Sequence, residues 1–282
     1  MNIKTLNHRS VLALLPDRDP EAHKGDFGKL LLLCGSRGYT GAASLSALGA
    51  LRCGAGLVYL GVPACIYEIE AVKLTEPIVF PLPDTDGCLA HSAEAEILKR
   101  LPDMDAVLIG PGLGQTDETA AIVRSVLEKF DGPLVLDADG INIIAKHIDV
   151  ICGRTGPTVL TPHVGEFLRL GGVLEGDRIQ SAAALAQKLG AIVVLKGHHT
   201  VITDGVNCFL NETGNPGMAV GGSGDVLAGM ITALLGQGIA PLESAACGAW
   251  LHGAAGDLCA EEMGQYSMLP TDMLHALPRL LK

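Results

Sequence analysis

Short runs of consecutive apolar residues recur along the chain, each followed by a stretch in which apolar residues return at helical spacing. The runs are Lys29 to Gly35, Leu57 to Val62, Ala106 to Ile109, Pro133 to Leu136, Thr158 to Leu160 and Ala191 to Lys196. Hydrophobicity that barely alternates suits strands covered on both faces, as in a parallel sheet. Between them the spacing predicts helices over Gly41 to Arg52, Thr116 to Lys129, Asp177 to Leu189, Asp225 to Leu235 and, rich in small residues, about Leu242 to Glu262. Thr200 to Thr203 and Asn207 to Leu210 flank Asp204-Gly205 and predict an antiparallel hairpin at the sheet's edge. The alternation defines an α/β fold with a mostly parallel central sheet and helices on both faces. With no low-complexity linker and no internal repeat, residues 1–282 are expected to form a single domain.

Composition narrows the class. Of 282 residues 48% are hydrophobic and 18% charged, which excludes disorder and provides for a large core. With 20 Lys+Arg against 31 Asp+Glu, the net charge of −11 removes any general attraction to nucleic acid or an anionic membrane, though not a local basic pocket. The apolar runs fall far short of the roughly 20 residues a membrane span needs. Met1 to Pro16 lacks the apolar core of a secretory signal, and none is expected. The eight cysteines never form a C-x-x-C pair, which reads as buried reduced thiols in a cytosolic protein. The 36 glycines are near twice the usual share of roughly 7% and are not periodic, so many close backbone approaches are implied.

Glycines and polar residues cluster where strands are predicted to end. Gly221-Gly222-Ser223-Gly224-Asp225 opens a helix, where free N–H groups and the positive end of the dipole suit a phosphate. Asp225 would repel that phosphate unless it binds a metal or faces the hydroxyl that attacks it; the alternative is that Ser223 or Asp225 merely caps the helix. Gly35 to Ala43 is a glycine-rich strand-to-helix turn matching neither G-x-G-x-x-G nor the P-loop pattern, and a turn without ligand is an equal reading. Gly110-Pro111-Gly112-Leu113-Gly114 has more glycine than a plain turn requires. In Thr161-Pro162-His163-Val164-Gly165-Glu166 the lone His163 reads first as a packed structural histidine. Asp137-Ala138-Asp139-Gly140 can hold Mg²⁺ through water or cap the next helix. Lys196-Gly197-His198-His199-Thr200 can put a cation near a nucleotide phosphate or serve only as hairpin entry. His198 and His199 have no further ligand at zinc-like spacing. One sheet would gather all these segments on a single edge.

Taken in order, KGDFGK (24–29), GSRGYTGAA (35–43), GPGLG (110–114), LDADGIN (136–142), TPHVGEF (161–167), VLKGHHTVI (194–202) and GNPGMAVGGSGDVLAGMI (214–231) resemble the ADP-dependent (S)-NAD(P)H-hydrate dehydratases, ribokinase-like proteins. GGSGD alone is shared with ribokinase-like kinases of small alcohols. The resemblance implies ADP as co-substrate, Mg²⁺, and hydrated NADH or NADPH (NADHX, NADPHX) as substrate. By the same carry-over Asp225 is the catalytic residue and contacts the hydrate with Ala43, Gly114 and His163. Lys196, Gly197, His198, His199 and Thr200 then contact the nucleotide with Gly222 and Gly224, and Asp139 and Glu166 act through water or metal. It further implies a homotetramer, a cytoplasmic location and a separate NAD(P)HX epimerase, since the 22 residues before His23 cannot hold one. Two other readings stand beside it: a kinase of a hydroxyethylthiazole- or hydroxymethylpyrimidine-type alcohol, and a nucleotide-binding sensor without turnover.

Overall fold

The computed structural model describes residues 2–282, so Met1 of the stretch read for a signal lies outside the described residues. Twelve strands occur among them: β1 Asn2–Lys4, β2 Lys29–Leu33, β3 Leu57–Pro63, β4 Ile78–Leu82, β5 Asp84–Thr85, β6 Cys88–Leu89, β7 Ala106–Ile109, β8 Leu134–Leu136, β9 Thr158–Leu160, β10 Ile192–Leu195, β11 Thr200–Thr203 and β12 Asn207–Asn211. Ten form one sheet in the order β1-β12-β11-β10-β9-β8-β7-β2-β3-β4, and β5 with β6 make a separate hairpin. From β4 through β10 every neighbouring pair is parallel. Only β11 runs against its neighbours β10 and β12.

The pleat explains the apolar runs. Leu30 and Leu32 enter one buried cluster, Leu31 and Leu33 the other, so each strand must be apolar on both faces. Helices Thr40–Arg52, Ser223–Gly236 and Pro241–Met263 cover the first face, while Asp117–Lys129 and Arg178–Leu189 cover the second. In Pro241–Met263 the small residues Ala245, Ala246, Ala249 and Ala255 are buried, which lets neighbouring helices approach closely.

The predicted strands and helices appear within a residue or two of their expected bounds, as does the hairpin over β11 and β12. The expectation that this hairpin closes the sheet is corrected: β1 pairs parallel with β12 and is the edge strand. The pairing uses backbone groups of a short polar segment, so no hydrophobic pattern announces it. β4, at the other edge, includes Pro81.

Candidate active site

Chain direction across the sheet reverses between β2 and β7: β2 continues outward to β3 and β4, β7 outward to β8, β9 and β10. Ligands of open α/β sheets bind beyond the strand ends at such a point. The loops there are tied to one another. Gly35 N–H donates to the Pro111 carbonyl at 2.8 Å and Ser36 Oγ–H to the Gly112 carbonyl at 2.7 Å. Gly110 has φ +133, and a Cβ there would lie 1.9 Å from the Asp137 carbonyl, so only glycine lets the β7 and β8 loops approach this closely.

Beyond β8, β9 and β10 sits a charge cluster. Lys196 Nζ donates to Asp137 Oδ1 at 2.7 Å and lies 3.9 Å from Glu166 Oε2. Thr161 Oγ1–H also donates to Asp137 Oδ1, at 2.7 Å. Asp137 is 1% exposed and Glu166 4%. Burial works against the Lys196 charge, but Asp137 and then Glu166 outweigh it and hold the ammonium above the ordinary lysine value. Glu166 is raised chiefly by burial, with Lys196 pulling the other way.

The fourth wall is the start of helix Ser223–Gly236. Its N-cap is Gly222, at φ +97, and no side chain caps the helix. A Cβ at Gly222 would lie 2.4 Å from Leu45 Cδ1, whereas one at Gly224 would face the cluster, 3.4 Å from Lys196 Nζ and 3.8 Å from Asp137 Oδ2. The N–H groups of Gly224 and Asp225 have no acceptor among the described residues. Asp225 is half-buried; burial first, then the Asp137 charge, raise its carboxyl to about 6 against the opposing pull of Lys196. The arrangement is an uncapped helix end, a fixed cation and a carboxylate that titrates just below neutrality. It can hold a phosphoryl group, neutralise it and take a proton from an attacking hydroxyl.

The sequence-derived residues divide. Lys196, Glu166, Gly222, Gly224 and Asp225 come together, and neither Ser223 nor Asp225 caps the helix. His163 is not a core histidine: its side chain is 56% exposed, and its Nδ1 accepts from Gly165 N–H at 2.9 Å while its own N–H donates to Glu166 Oε2 at 2.8 Å. Ala43 is fully buried under Gly35, where a Cβ would lie 2.9 Å from its own. Asp139 meets other partners than the charge cluster: Gly114 N–H donates to its Oδ2 at 2.9 Å and Gln115 Nε2 to its Oδ1 at 2.8 Å, so it braces the β7 loop and does not cap a helix. Gly197 leaves β10, and Thr200 Oγ1 donates back to its carbonyl at 3.0 Å. His198 and His199 are exposed on this turn, their rings 3.9 Å apart.

Asp137 is the acid within Asp137-Ala138-Asp139 that meets the cation, because Ala138, at φ 49, sends the two carboxylates to different partners. Its position directly after an apolar strand was the available signal. His252, from helix Pro241–Met263, has none: it is buried, and its Nε2 lies 3.3 Å from Ser223 Oγ.

Such a sheet with its phosphate-suited helix end defines a ribokinase-like α/β protein. The family model for NAD(P)H-hydrate dehydratase matches residues 30–279, and the chain belongs to that family. It is 38% identical over 288 aligned residues to the ADP-dependent (S)-NAD(P)H-hydrate dehydratase of Bacillus subtilis, covering 100% of this chain and 99% of that protein. A crystal structure of the ADP/ATP-dependent NAD(P)H-hydrate dehydratase from Bacillus subtilis, co-crystallized with ATP/Mg²⁺, superposes with TM-score 0.84 at 35% identity, covering 99% and 98% of the two chains. The bifunctional NAD(P)H-hydrate repair enzyme Nnr of Moorella thermoacetica is 45% identical over 275 residues, 95% of this chain and 52% of that one. The chain thus spans about half the length of the bifunctional relatives it matches.

Proposed function

We propose that this chain dehydrates (S)-NAD(P)H hydrate at the expense of ADP, restoring NADH or NADPH and releasing phosphate and AMP. The observation that supports this most is the half-buried Asp225, raised to about 6, on an uncapped helix end that faces the Lys196–Asp137 pair. Hydroxide is a poor leaving group, and phosphorylation corrects that. Asp225 accepts the proton of the ring hydroxyl as its oxygen attacks the terminal phosphorus of ADP, breaking the bridging P–O bond and freeing AMP. The ring nitrogen lone pair then expels phosphate, and loss of the neighbouring C–H proton closes the double bond. The N–H groups of Gly224 and Asp225 stabilise the moving phosphoryl, and positioning with electrostatics supplies most of the rate.

In this reading Lys196, Gly197, His198, His199 and Thr200 contact the nucleotide with Gly222 and Gly224, and Ala43, Gly114, His163 and Asp225 contact the hydrate. Among the described residues no group of three or more His, Cys, Asp or Glu could cage a metal. That suits Mg²⁺, which takes one or two carboxylates and fills its shell with phosphate oxygens and water. Asp139 and Glu166, with Asp137 beside them, would hold it directly or through water, and it would neutralise charge on the nucleotide. Residues 1–282 are taken as one ribokinase-like domain, assembled as a homotetramer and cytoplasmic, the last supported by eight free cysteines. A separate epimerase supplying the S form is part of the proposal, supported by the bifunctional relatives. No helix among the described residues is long and apolar enough to cross a membrane.

The deciding assay supplies hydrated NADH, Mg²⁺ and ADP and follows the reduced-nicotinamide absorbance. Recovery matched by equal phosphate and AMP supports the reading. Consumption of nucleotide by a thiazole or pyrimidine alcohol, without that recovery, rejects it for the kinase.

A further inference from the structure

A serine in the first turn of a helix has its hydroxyl near the first-turn N–H groups and competes for them as a local acceptor. In this protein it does not. Ser223 is the first residue of helix Ser223–Gly236, 8% exposed, and its Oγ lies 3.3 Å from His252 Nε2; the helix has no side-chain cap. His252 itself is 8% exposed and comes from the neighbouring helix Pro241–Met263. In the tautomer protonated on Nδ1, Ser223 Oγ–H donates to Nε2; in the other, Nε2–H donates to Oγ. Either way the hydroxyl is engaged by the ring, and among the described residues it does not accept from the Gly224 or Asp225 N–H groups. Burial keeps the ring neutral, lowering its pKa to about 4.

This bears on the phosphate cradle. The N–H groups of Gly224 and Asp225 are left without acceptor among the described residues, as an incoming anion requires. A hydroxyl released from His252 would sit where it can accept from Asp225 N–H and so fill the cradle from within.

We infer that His252 is a positioning residue which holds the Ser223 hydroxyl away from the helix end, leaving the Gly224 and Asp225 N–H groups open for the terminal phosphate of the nucleotide. The inference rests on the ADP-dependent reading above.

The test is ADP affinity by calorimetry on the full chain, with thermal melting to confirm that each variant folds. His252→Leu keeps most of the volume and removes the tether; it is expected to weaken ADP binding about tenfold. His252→Gln keeps an amide that can engage the hydroxyl, and is expected to stay within about threefold of the parent. The decisive variant is His252→Leu combined with Ser223→Ala: with no hydroxyl left to intrude, affinity returns to that of Ser223→Ala alone. A merely packing role for His252 would give no such rescue, so a double variant as weak as His252→Leu overturns the inference, as does unaltered binding in His252→Leu. Should His252→Leu not fold, His252→Ala against His252→Ala with Ser223→Ala decides: weakened affinity that recovers on losing the hydroxyl supports the inference, and weakened affinity without recovery, or unaltered binding in His252→Ala, overturns it. A parent protein that binds no ADP would instead sink the functional reading itself.

Discussion

Lys196 Nζ meets Asp137 Oδ1 at 2.7 Å, spanning the end of β9 to join the ends of β10 and β8. This one ammonium lies against two nearly buried carboxylates, Asp137 and Glu166, and works against the upward shift of the Asp225 carboxyl.

Lys196→Met should therefore cost more than a surface ion pair would. It leaves Asp137 and Glu166 buried without a counter-charge, and removing one partner of a buried pair costs about 3–5 kcal/mol. Chemical denaturation should show a loss of that order. Because the two residues share one interaction, Asp137→Asn added to Lys196→Met should cost less than the sum of the single changes.

Asp225→Asn removes charge and basicity with almost no change in volume. Turnover should fall by about 10²–10⁴, the range for a lost general base, while ADP binding measured by calorimetry persists. Retained turnover would assign Asp225 a structural place only.

The raised carboxyl also fixes the acid limb of the rate profile. A base near 6 is protonated below that pH, so kcat/KM should rise with pH and level off above about 6, and the limb should vanish in Asp225→Asn. Stability responds in two opposing ways. His252, lowered to about 4, leaves the unfolded chain holding more protons between roughly 4 and 6.5, so its contribution, on the order of 3 kcal/mol, is lost as pH falls through that window. Asp225 acts oppositely, since the folded protein holds the extra proton between roughly 4 and 6 and stability declines as pH rises there. Half-exposure limits that effect to about 1–2 kcal/mol. Asp225→Asn should thus be more stable than the parent at pH 7 but not at pH 4, by denaturant titration at both.

Gly224→Ala separates binding from folding. The added methyl would meet Lys196 Nζ and Asp137 Oδ2 at ordinary contact distances, and alanine favours helix, so the melting temperature should stay within a few degrees. The methyl nevertheless projects into the cradle. ADP affinity should drop at least tenfold; unchanged affinity would place the phosphate elsewhere.

How much of this was legible in the sequence follows from what each feature depends on. β2, β7 and β10 were readable because a strand covered on both faces must be continuously apolar, as Leu30 to Leu33 are. β1 was not, because Asn2–Lys4 joins β12 through backbone groups, and the hairpin of β5 and β6 is too short for a period to show. The glycine turns and Asp225 stood out because glycines before a helix have few other uses. Asp137 and Asp139 were separable only by the backbone at Ala138, and His252 only by the packing of two helices distant in sequence. For His163 the residues alone favoured a packed histidine over the substrate contact that the resemblance implies, because the sequence does not reveal that its exposed ring caps the helix that positions Glu166.

The most direct measurement is a crystal structure of the protein soaked with ADP. The account places the terminal phosphorus at the start of helix Ser223–Gly236, against the Gly224 and Asp225 N–H groups and within reach of the Asp225 carboxylate. A terminal phosphorus lying out over the exposed His198–His199 turn, with that helix end left to solvent, would contradict it.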